Sequence, residues 1–218
     1  MTKIKVCGLK TTQDALFAHQ AGADALGFII DVPVVTPRKV TSQKVADIIT
    51  QLPPYALTVG VVMPASPTEL LTLIEKSGVN TIQIHGNNSS LEIPEIKKKK
   101  HTRFVRSYPI AVNTEVNAAI KAIGEYIDRG ADAILLDTKG KKDAGGTGEI
   151  HDWRKSKEIK NSLSCPVILA GGLNPHNVSD AIRLVEPYAV DVASGVESSP
   201  GVKDHQKIKA FIRNVRNL

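Results

Sequence analysis

The segment Ala170-Gly171-Gly172-Leu173-Asn174-Pro175 is one of three glycine-rich turns in the second half of this chain. The other two are Asp143-Ala144-Gly145-Gly146-Thr147-Gly148 and Ala193-Ser194-Gly195-Val196-Glu197. Each turn follows a short apolar run typical of a buried strand and precedes a helical stretch, and successive turns lie roughly 25 residues apart, the length of one βα unit. Because glycine lets backbone N–H groups approach an anion, and a helix N-terminus adds further donors, the three turns predict a phosphate cradle.

The same alternation of strand and helix extends along the whole chain. The predicted strands are Ile4–Cys7, Ala25–Ile30, Leu57–Met63, Thr81–His85, Arg103–Ser107, Ala133–Asp137, Val167–Ala170 and Ala189–Ala193. The predicted helices are Thr12–Ala21, Ser42–Gln51, Pro67–Ser77, Glu92–Lys99, Glu115–Arg129, Asp152–Ser162, Pro175–Val185 and Lys203–Val215. Eight βα units without a break in composition predict an α/β fold, a single (β/α)₈ TIM barrel spanning residues 1–218. A doubly wound open sheet is the structural alternative, but eight units in so short a chain favour closure.

Start and stop signals support several of these helices. Asn174 before Pro175 is predicted to be an N-cap with proline in the first helical position, and Ser66 before Pro67 repeats the pattern. Three glycines are predicted to end helices just before the next strand, namely Gly22, Gly78 and Gly130.

Composition limits the compartment and the class of protein. The 218 residues are 42% hydrophobic, contain no apolar run of 18 or more, and open directly into strand-like residues. We therefore expect neither a membrane span nor a secretory signal. The two cysteines, Cys7 and Cys165, are too few for a disulfide framework and match no zinc motif. These features predict a cytoplasmic protein with reduced thiols and no metal site.

The positive charge of the chain raises the question of nucleic acid. The formal charge is +6, and the main basic run is Lys97-Lys98-Lys99-Lys100-His101. Lysines in the last turn of a helix complement its dipole, so we interpret the run as a solvated helix end. Aromatic residues make up only 4% of the chain, which leaves few platforms for stacking bases. Neither nucleic acid nor a membrane is predicted as a partner.

Barrel geometry converts the strand predictions into positions, because side chains alternate between the lumen and the helices. The polar or reactive residues that alternate with apolar ones are predicted to face the lumen: Lys5, Cys7, Gln83, His85, Asp137 and Asp191. Unpaired buried charges are costly, so such a lumen needs a functional reason. Cys7 and Asp137 lie at strand ends on opposite sides of the barrel mouth and resemble a base and acid pair. The structural alternatives are a small buried hydrophobe for Cys7 and a capping or ion-paired aspartate for Asp137.

Arg38 lies in the predicted loop after the second strand. A guanidinium there is suited to bind a substrate carboxylate through two hydrogen bonds, and the structural alternative is a surface ion pair. Cys165 precedes Pro166 at the start of a strand, on the face opposite the mouth, and we interpret it as a packing residue.

Motifs from one end of the chain to the other carry a resemblance to a known family. They are Val6-Cys7-Gly8-Leu9, Gly22-Ala23-Asp24-Ala25-Leu26-Gly27-Phe28, Pro37-Arg38, Gln83-Ile84-His85-Gly86, Leu135-Leu136-Asp137, Gly145-Gly146-Thr147-Gly148 with Asp152-Trp153, Leu169-Ala170-Gly171-Gly172-Leu173, and Val190-Asp191-Val192-Ala193-Ser194-Gly195-Val196-Glu197 with Pro200-Gly201 and Lys203-Asp204. In order and in placement at strand ends, these motifs closely resemble the phosphoribosylanthranilate isomerase family, tryptophan-pathway enzymes with a TIM-barrel fold.

The resemblance implies an Amadori rearrangement of N-(5′-phosphoribosyl)anthranilate to 1-(o-carboxyphenylamino)-1-deoxyribulose 5-phosphate, without metal or organic cofactor. By matching positions, Asp137 is expected to be the general acid, Cys7 the general base, and Arg38 the group that holds the anthranilate carboxylate. His85 and Asp191 match positions that line the pocket. The residues expected to hold the phosphate are Gly146, Gly148, Gly171, Gly172, Ser194 and Gly195. The partner is then a small phosphosugar, and a monomer or a homodimer suits the fold.

A free thiol is only a few per cent ionised at neutral pH, so something is needed to lower its pKa. Lys5 lies two residues from Cys7 on the same face of the strand, and we hypothesise that its charge, or a nearby glycine-turn dipole, helps to form the thiolate.

Three alternative functions compete with this one. The histidine-pathway isomerase performs the same chemistry but resembles this chain less, because it has an aspartate where this chain has Cys7. A metal-dependent epimerase needs inward His and Asp ligands on several strands, and only His85 and two aspartates are available. A non-catalytic barrel that binds phosphosugar or RNA would keep the glycine turns without needing Cys7 or Asp137.

Overall fold

The parallel strands close into a ring in the computed structural model, which describes residues 1–86, 93–138 and 151–218. The strands are β1 (Lys3–Val6), β2 (Ala25–Ile30), β3 (Lys39–Val40), β4 (Leu57–Val62), β5 (Thr81–Ile84), β6 (Arg103–Ile110), β7 (Ala133–Thr138), β8 (Val167–Leu169), β9 (Ala189–Val192), β10 (Glu197–Ser199) and β11 (Val202–Lys203). The helices are α1 (Thr12–Gln20), α2 (Ser42–Ile49), α3 (Pro67–Ser77), α4 (Ile93–Lys99), α5 (Val116–Asp128), α6 (Trp153–Asn161), α7 (Val178–Val185) and α8 (His205–Arg216). A 3₁₀ turn covers Ser194–Val196.

The closing contact joins the two ends of the barrel. Strand β1 pairs in parallel with β9 and also with β2, so that the order runs β1-β9-β8-β7-β6-β5-β4-β2 and returns to β1. The predicted (β/α)₈ barrel is confirmed, and the open doubly wound sheet is excluded by this closure. Short β3 extends the sheet beside β2, and β10 with β11 forms an antiparallel hairpin outside the ring.

The main core lies between the strands and the helices, where the alternation predicted it. Ile4 and Val6 of β1 are fully buried in one cluster with residues of α1 and α8, while Lys5 between them turns into the lumen. Val190 and Val192 of β9 occupy the same cluster. The lumen itself contains small apolar side chains, Ala133, Ala170 and Ala189 among them. This lining leaves space inside the barrel for polar groups near its carboxyl end.

Helix ends confirm some signals and correct one. Ser66 accepts a hydrogen bond from the backbone of Glu69, with Pro67 in the first turn, and Gly78 ends the same helix in the left-handed conformation. Asn174 does not cap a helix at Pro175, because α7 begins only at Val178. Its side chain instead accepts from the backbone of His176 and stabilises a preceding turn. Gly22 and Gly130 also have positive φ, each one residue beyond the cap.

The basic run at the end of α4 is paired with acidic neighbours. Lys97 contacts Asp132 at 2.7 Å and Lys98 contacts Glu95 at 2.6 Å. Its positive charge is thereby partly neutralised at the protein surface. None of the helices in the described ranges combines the length and the hydropathy needed to cross a membrane.

Candidate active site

Cys7 stands directly after β1 at the carboxyl end of the barrel. Its backbone N–H donates to the carbonyl of Val192 on β9 at 2.8 Å, and only 5% of the residue is exposed. The thiol lies across from Gly27 of β2, where an added Cβ would stand 2.8 Å from Sγ and 3.0 Å from Cε of Lys5. A glycine at position 27 therefore makes room for the thiol and for the lysine beside it.

Lys5 forms a buried ion pair below the thiol. Its Nζ donates to Oδ2 of Asp191 at 2.7 Å, and both side chains are less than a tenth exposed. Although burial alone would lower the pKa of Lys5, the charges of Asp191 and Cys7 raise it above its usual range. Oδ1 of Asp191 has no hydrogen-bond partner among the described residues, so one carboxylate oxygen remains available at the cavity.

The pKa of the Cys7 thiol is raised, which corrects the simple form of the Lys5 hypothesis. Burial raises it most, and the negative charge of Asp191 adds to this effect. The positive charges of Lys5 and Lys203 oppose the rise. Lys5 thus acts on the thiol in the expected direction, but desolvation outweighs it because Asp191 already neutralises the lysine.

Asp137 lies near the carboxyl end of β7, half-buried at the wall of the same cavity. Burial raises the pKa of its carboxyl to about 6, with a further contribution from the negative charge of Asp191. A hydrogen bond from the backbone of Thr138 and the charge of Lys5 act in the opposite direction. A carboxyl with a pKa this close to neutrality can hold a proton and release it, as a general acid must.

Arg38 is buried rather than part of a surface ion pair. Its Nε and Nη2 donate to the two carboxylate oxygens of Glu197 at 2.8 and 2.7 Å, and 7% of the residue is exposed. The side chain passes over Gly8, where an added Cβ would stand 2.9 Å from Cδ of the arginine. Sequence reasoning missed Glu197 as a partner. The only available signal was its place in the Gly195-Val196-Glu197 segment.

His85 and Gln83 line the side of the cavity contributed by β5. Burial lowers the pKa of His85, and the charges of Lys5 and Arg106 lower it further. A neutral imidazole is therefore the form at the cavity wall. Nε2 of Gln83 donates to Oγ of Ser107 at 3.2 Å, while its Oε1 has no partner in the described part of the chain.

Two of the three glycine turns fall within the described residues, and both reach the cavity. Gly171 and Gly172 have φ values of 83° and 67°, a conformation that favours glycine. An added Cβ on Gly171 would overlap Thr138, and one on Gly195 would overlap the carbonyl of Leu173. The turn that contains Gly171 thus packs on the end of β7, and the turn that contains Gly195 packs on the turn that contains Gly171. The predicted phosphate ligands Gly146 and Gly148 lie outside the described residues.

One cavity collects most of the predicted site. Its lining includes Cys7, Arg38, His85, Asp137, Gly171, Gly172, Asp191 and Ser194. Gly195 does not line the cavity and packs against the carbonyl of Leu173. Cys165 is remote from it, against the cluster that contains Ile134 and Val167. Within the described ranges, no group of three or more His, Cys, Asp or Glu side chains is arranged to bind a metal ion.

Comparison with known proteins assigns the chain to a family. The family model for N-(5′-phosphoribosyl)anthranilate (PRA) isomerase matches residues 4–214. The chain belongs to this family. The resemblance found in the motifs is therefore confirmed, and so is the TIM barrel that it implied.

Members of the family are similar to this chain over its full length. An N-(5′-phosphoribosyl)anthranilate isomerase of Haloferax volcanii is 41% identical over 212 residues, which cover 97% of this chain and 92% of that protein. One from Pseudomonas fluorescens is 42% identical, with 97% of each chain covered. The crystal structure of phosphoribosyl anthranilate isomerase from Thermotoga maritima superposes with a TM-score of 0.84 at 34% identity and covers both chains fully.

A second family structure is a complex with reduced 1-(o-carboxyphenylamino)-1-deoxyribulose 5-phosphate. It is 32% identical to this chain, has a TM-score of 0.80 and covers all of both chains.

Proposed function

We propose that this chain catalyses the Amadori rearrangement of N-(5′-phosphoribosyl)anthranilate to 1-(o-carboxyphenylamino)-1-deoxyribulose 5-phosphate, a step of tryptophan biosynthesis. One observation carries the proposal. In a chain that the family model matches over residues 4–214, a buried thiol and a carboxyl with a pKa of about 6 face the same cavity. The relatives named above have the corresponding activity in their names, and the site described here has the groups that the chemistry needs.

The first step opens the sugar ring. Asp137 in its acid form donates its proton to the furanose ring oxygen, and the electron pair on the anthranilate nitrogen forms the C1′–N double bond as the C1′–O bond breaks. The product is a Schiff base with a free C4′ hydroxyl. Because the pKa of Asp137 is raised to about 6, a usable fraction of the carboxyl is protonated near neutral pH.

The second step moves a proton away from C2′. The Cys7 thiolate removes this proton, the C2′–H electrons form the C1′–C2′ double bond, and the nitrogen regains its electron pair. The resulting enolamine tautomerises to the ketone as C1′ gains a proton and the C2′ hydroxyl loses one. Only protons move, so an acid and a base supply all the chemistry, and the proposal includes no cofactor.

The two ends of the substrate carry the charges that orient it. We assign the anthranilate carboxylate to Arg38, whose planar guanidinium matches a carboxylate. The phosphate is assigned to the glycine turns, at Gly171, Gly172, Ser194 and Gly195, with Gly146 and Gly148 as further ligands. His85 and the free oxygen of Asp191 line the cavity between these two charged ends.

A free catalytic thiol persists in a reducing compartment, so the proposal includes a cytoplasmic location. A monomer and a homodimer both remain compatible with the proposed reaction. One similar structure is that of monomers generated from the dimeric phosphoribosylanthranilate isomerase of Thermotoga maritima, and sedimentation of the present protein decides its own state.

The direct test is turnover of phosphoribosylanthranilate generated in situ, followed by the loss of anthranilate-type fluorescence. Wild type is expected to turn over, and Cys7→Ser and Asp137→Asn to lose about a hundredfold or more in kcat, as is typical for lost acid–base catalysis. Cys165→Ser, remote from the cavity, serves as the matched control and should retain activity. Wild type without turnover would contradict the proposed function. Turnover unharmed in both site variants would contradict the assigned acid and base.

A further inference from the structure

The hairpin formed by β10 and β11 packs against the loop that carries Arg38. Its turn residue Gly201 has a φ of 79°, and an added Cβ there would stand 2.6 Å from the carbonyl oxygen of Pro37. The hairpin backbone therefore approaches the residue directly before Arg38 as closely as glycine allows. This contact fixes the base of the arginine side chain.

Glu197, the first residue of the hairpin, fixes the other end of that side chain. Its carboxylate is buried and accepts four hydrogen bonds. Two come from Arg38, one from the backbone N–H of Gly201 at 3.0 Å, and one from Nζ of Lys203 at 2.9 Å. Although burial alone would raise the pKa of Glu197, these donors hold it below its usual range. The arginine is thus held by an ionised and fully bonded carboxylate.

Lys203 links this carboxylate to the strand end that holds Cys7. Its side chain is 1% exposed, and Nζ also donates to the carbonyl of Ala193 at 2.8 Å. The preceding carbonyl, that of Val192, accepts the N–H of Cys7. The side chain of Lys203 and the backbone N–H of Cys7 therefore donate to consecutive carbonyls, at the last residue of β9 and the residue after it.

While Asp137 is in its acid form, the charges around the mouth do not balance. Lys5 and Asp191 neutralise each other, whereas Arg38 and Lys203 share the single negative charge of Glu197. All five side chains are buried, so one positive charge remains without a negative partner in this group. A buried excess of this sign stabilises an anion placed beside it. The thiolate of Cys7 and the substrate carboxylate are the two anions that the reaction brings there.

We propose that Glu197 and Lys203 are positioning residues of this active site: Glu197 holds Arg38 in place for the substrate carboxylate, and Lys203 supplies the positive charge that favours the Cys7 thiolate. The inference rests on the proposed function, because it assigns the carboxylate to Arg38 and the base to Cys7. The hairpin then contributes in two ways: Glu197 affects substrate binding, and Lys203 affects ionisation of the Cys7 thiol.

The binding effect is tested by steady-state kinetics of Glu197→Gln. We expect KM for phosphoribosylanthranilate to rise about tenfold or more, as when one partner of a buried charge pair is removed, with kcat changing less than about threefold. In an Arg38→Met background the same substitution should add little to KM, because Glu197 acts through the arginine. Glu197→Asp, which keeps the charge but shortens the reach, should give an intermediate KM. Ser198→Ala, an exposed change in the same hairpin, is the control.

The ionisation effect is tested by titrating the thiol through its thiolate absorbance in the ultraviolet, as the difference from a Cys7→Ser variant. Lys203→Met is expected to raise the thiol pKa by about one unit, and Lys203→Arg to restore it. Because the pKa of Cys7 lies above that of Asp137, the alkaline limb of the kcat/KM profile should move to higher pH by the same amount, and the acid limb should stay in place. Among residues 1–86, 93–138 and 151–218, the other charged or titratable groups facing this site are Lys5 on β1, Asp191 on β9, Arg38 above Gly8, and His85 and Asp137 across the cavity. All of them are unchanged in this comparison.

The two readouts separate this inference from the proposed function. A thiol titration that shifts in Lys203→Met supports the role of the lysine even if wild type fails to turn over the substrate, in which case only the proposed function is contradicted. Active wild type with an unmoved thiol pKa in Lys203→Met overturns the ionisation role. A loss in kcat at unchanged KM in both Glu197→Gln and Glu197→Asp overturns the binding role. Circular dichroism of each variant identifies loss of fold.

Discussion

Two lysines of one strand, Lys3 and Lys5, show how differently the two ends of this barrel use the same kind of ion pair. At the amino end, Lys3 contacts Asp24 at 3.3 Å, and its side chain is 52% exposed. Two residues further on, Lys5 contacts Asp191 at 2.7 Å with 6% exposure. The first pair is solvated and contributes little, whereas the second requires both charges to be desolvated. The costlier of these two pairs includes Asp191, which lines the cavity where the reaction is proposed.

The largest difference is expected from removing each lysine in turn. Lys5→Met leaves Asp191 buried and unpaired, so the free energy of unfolding should fall by about 3–5 kcal/mol. Lys3→Met should change it by about 0.5 kcal/mol or less, because that pair is exposed. Urea unfolding measures both. Equal losses in the two variants, or no recovery when Asp191→Asn is added to Lys5→Met, would contradict the comparison.

Asp137 is expected to give the next largest effect, and it depends on pH. Its folded pKa of about 6 lies above the unfolded value near 3.8, so its ionisation destabilises the fold as the pH rises through this window. We therefore compare the change in the free energy of unfolding caused by Asp137→Asn at two pH values. The change at about pH 7.5 should be more favourable than the change at about pH 3.5 by about 2–3 kcal/mol. Unfolding at the two pH values provides the measurement. A difference of zero or of opposite sign would show that the carboxyl is not desolvated.

Glycines on the two sides of the sheet provide a third, smaller contrast. Gly27→Ala places a Cβ against Sγ of Cys7 and Cε of Lys5, and should destabilise by about 1–3 kcal/mol while lowering kcat about tenfold. Gly124→Ala, in helix α5 with open space around its Cα, should instead stabilise by about 0.5–1 kcal/mol at unchanged kcat. Thermal unfolding and turnover measured on Gly27→Ala and Gly124→Ala test this contrast. An active, stable Gly27→Ala would mean that the thiol can move freely.

The smallest effect is expected at the amino end of the barrel. Asp24 accepts from the backbone of Ile4 and from Arg216, and these partners hold its pKa below its usual range although burial opposes them. Asp24→Asn should cost about 1–2 kcal/mol near neutral pH, with kcat unchanged. Because the depressed pKa contributes its full stability above the unfolded value and progressively less below it, the cost should disappear as the pH falls through the folded pKa. A loss of turnover at full stability would contradict a purely structural role for this end.

The eight βα units were enough to predict the ring, and the alternation of apolar with polar residues along the strands predicted the inward residues, although both faces of the strands are buried. Strand ends were less predictable. Strand β6 continues to Ile110, three residues past its predicted end at Ser107, since Pro109 still pairs with Asp137 of β7 although proline argues against a strand interior. The predicted start of α7 at Pro175 was wrong, because the side chains of Asn174 and Asn177 stabilise a turn there instead of a helix end.

Partners distant in sequence could not be predicted. Arg38 and Glu197 are separated by 159 positions, and no local pattern states that one will meet the other. The net rise in the pKa of Cys7 could not be predicted from the sequence either. Proximity to Lys5 alone suggests a lowered pKa, and the structure is needed to show that burial and the charge of Asp191 raise it. Sequence predicted the groups that we propose to carry the chemistry, and the structure revealed which charges compensate them.

The position of β1 between β2 and β9 has a consequence for how the protein is made. Cys7 receives its backbone support from Val192, and its lysine neighbour receives its counter-ion from Asp191. A ribosome that has released β1 through β8 has already synthesised the thiol and the carboxyl of Asp137, yet the thiol still lacks its supports. The proposed catalysis therefore begins only once β9, the last strand of the barrel, has paired with β1. Activity in a translation extract would consequently appear only after β9 has left the ribosome, and no earlier stage of synthesis would contribute to it.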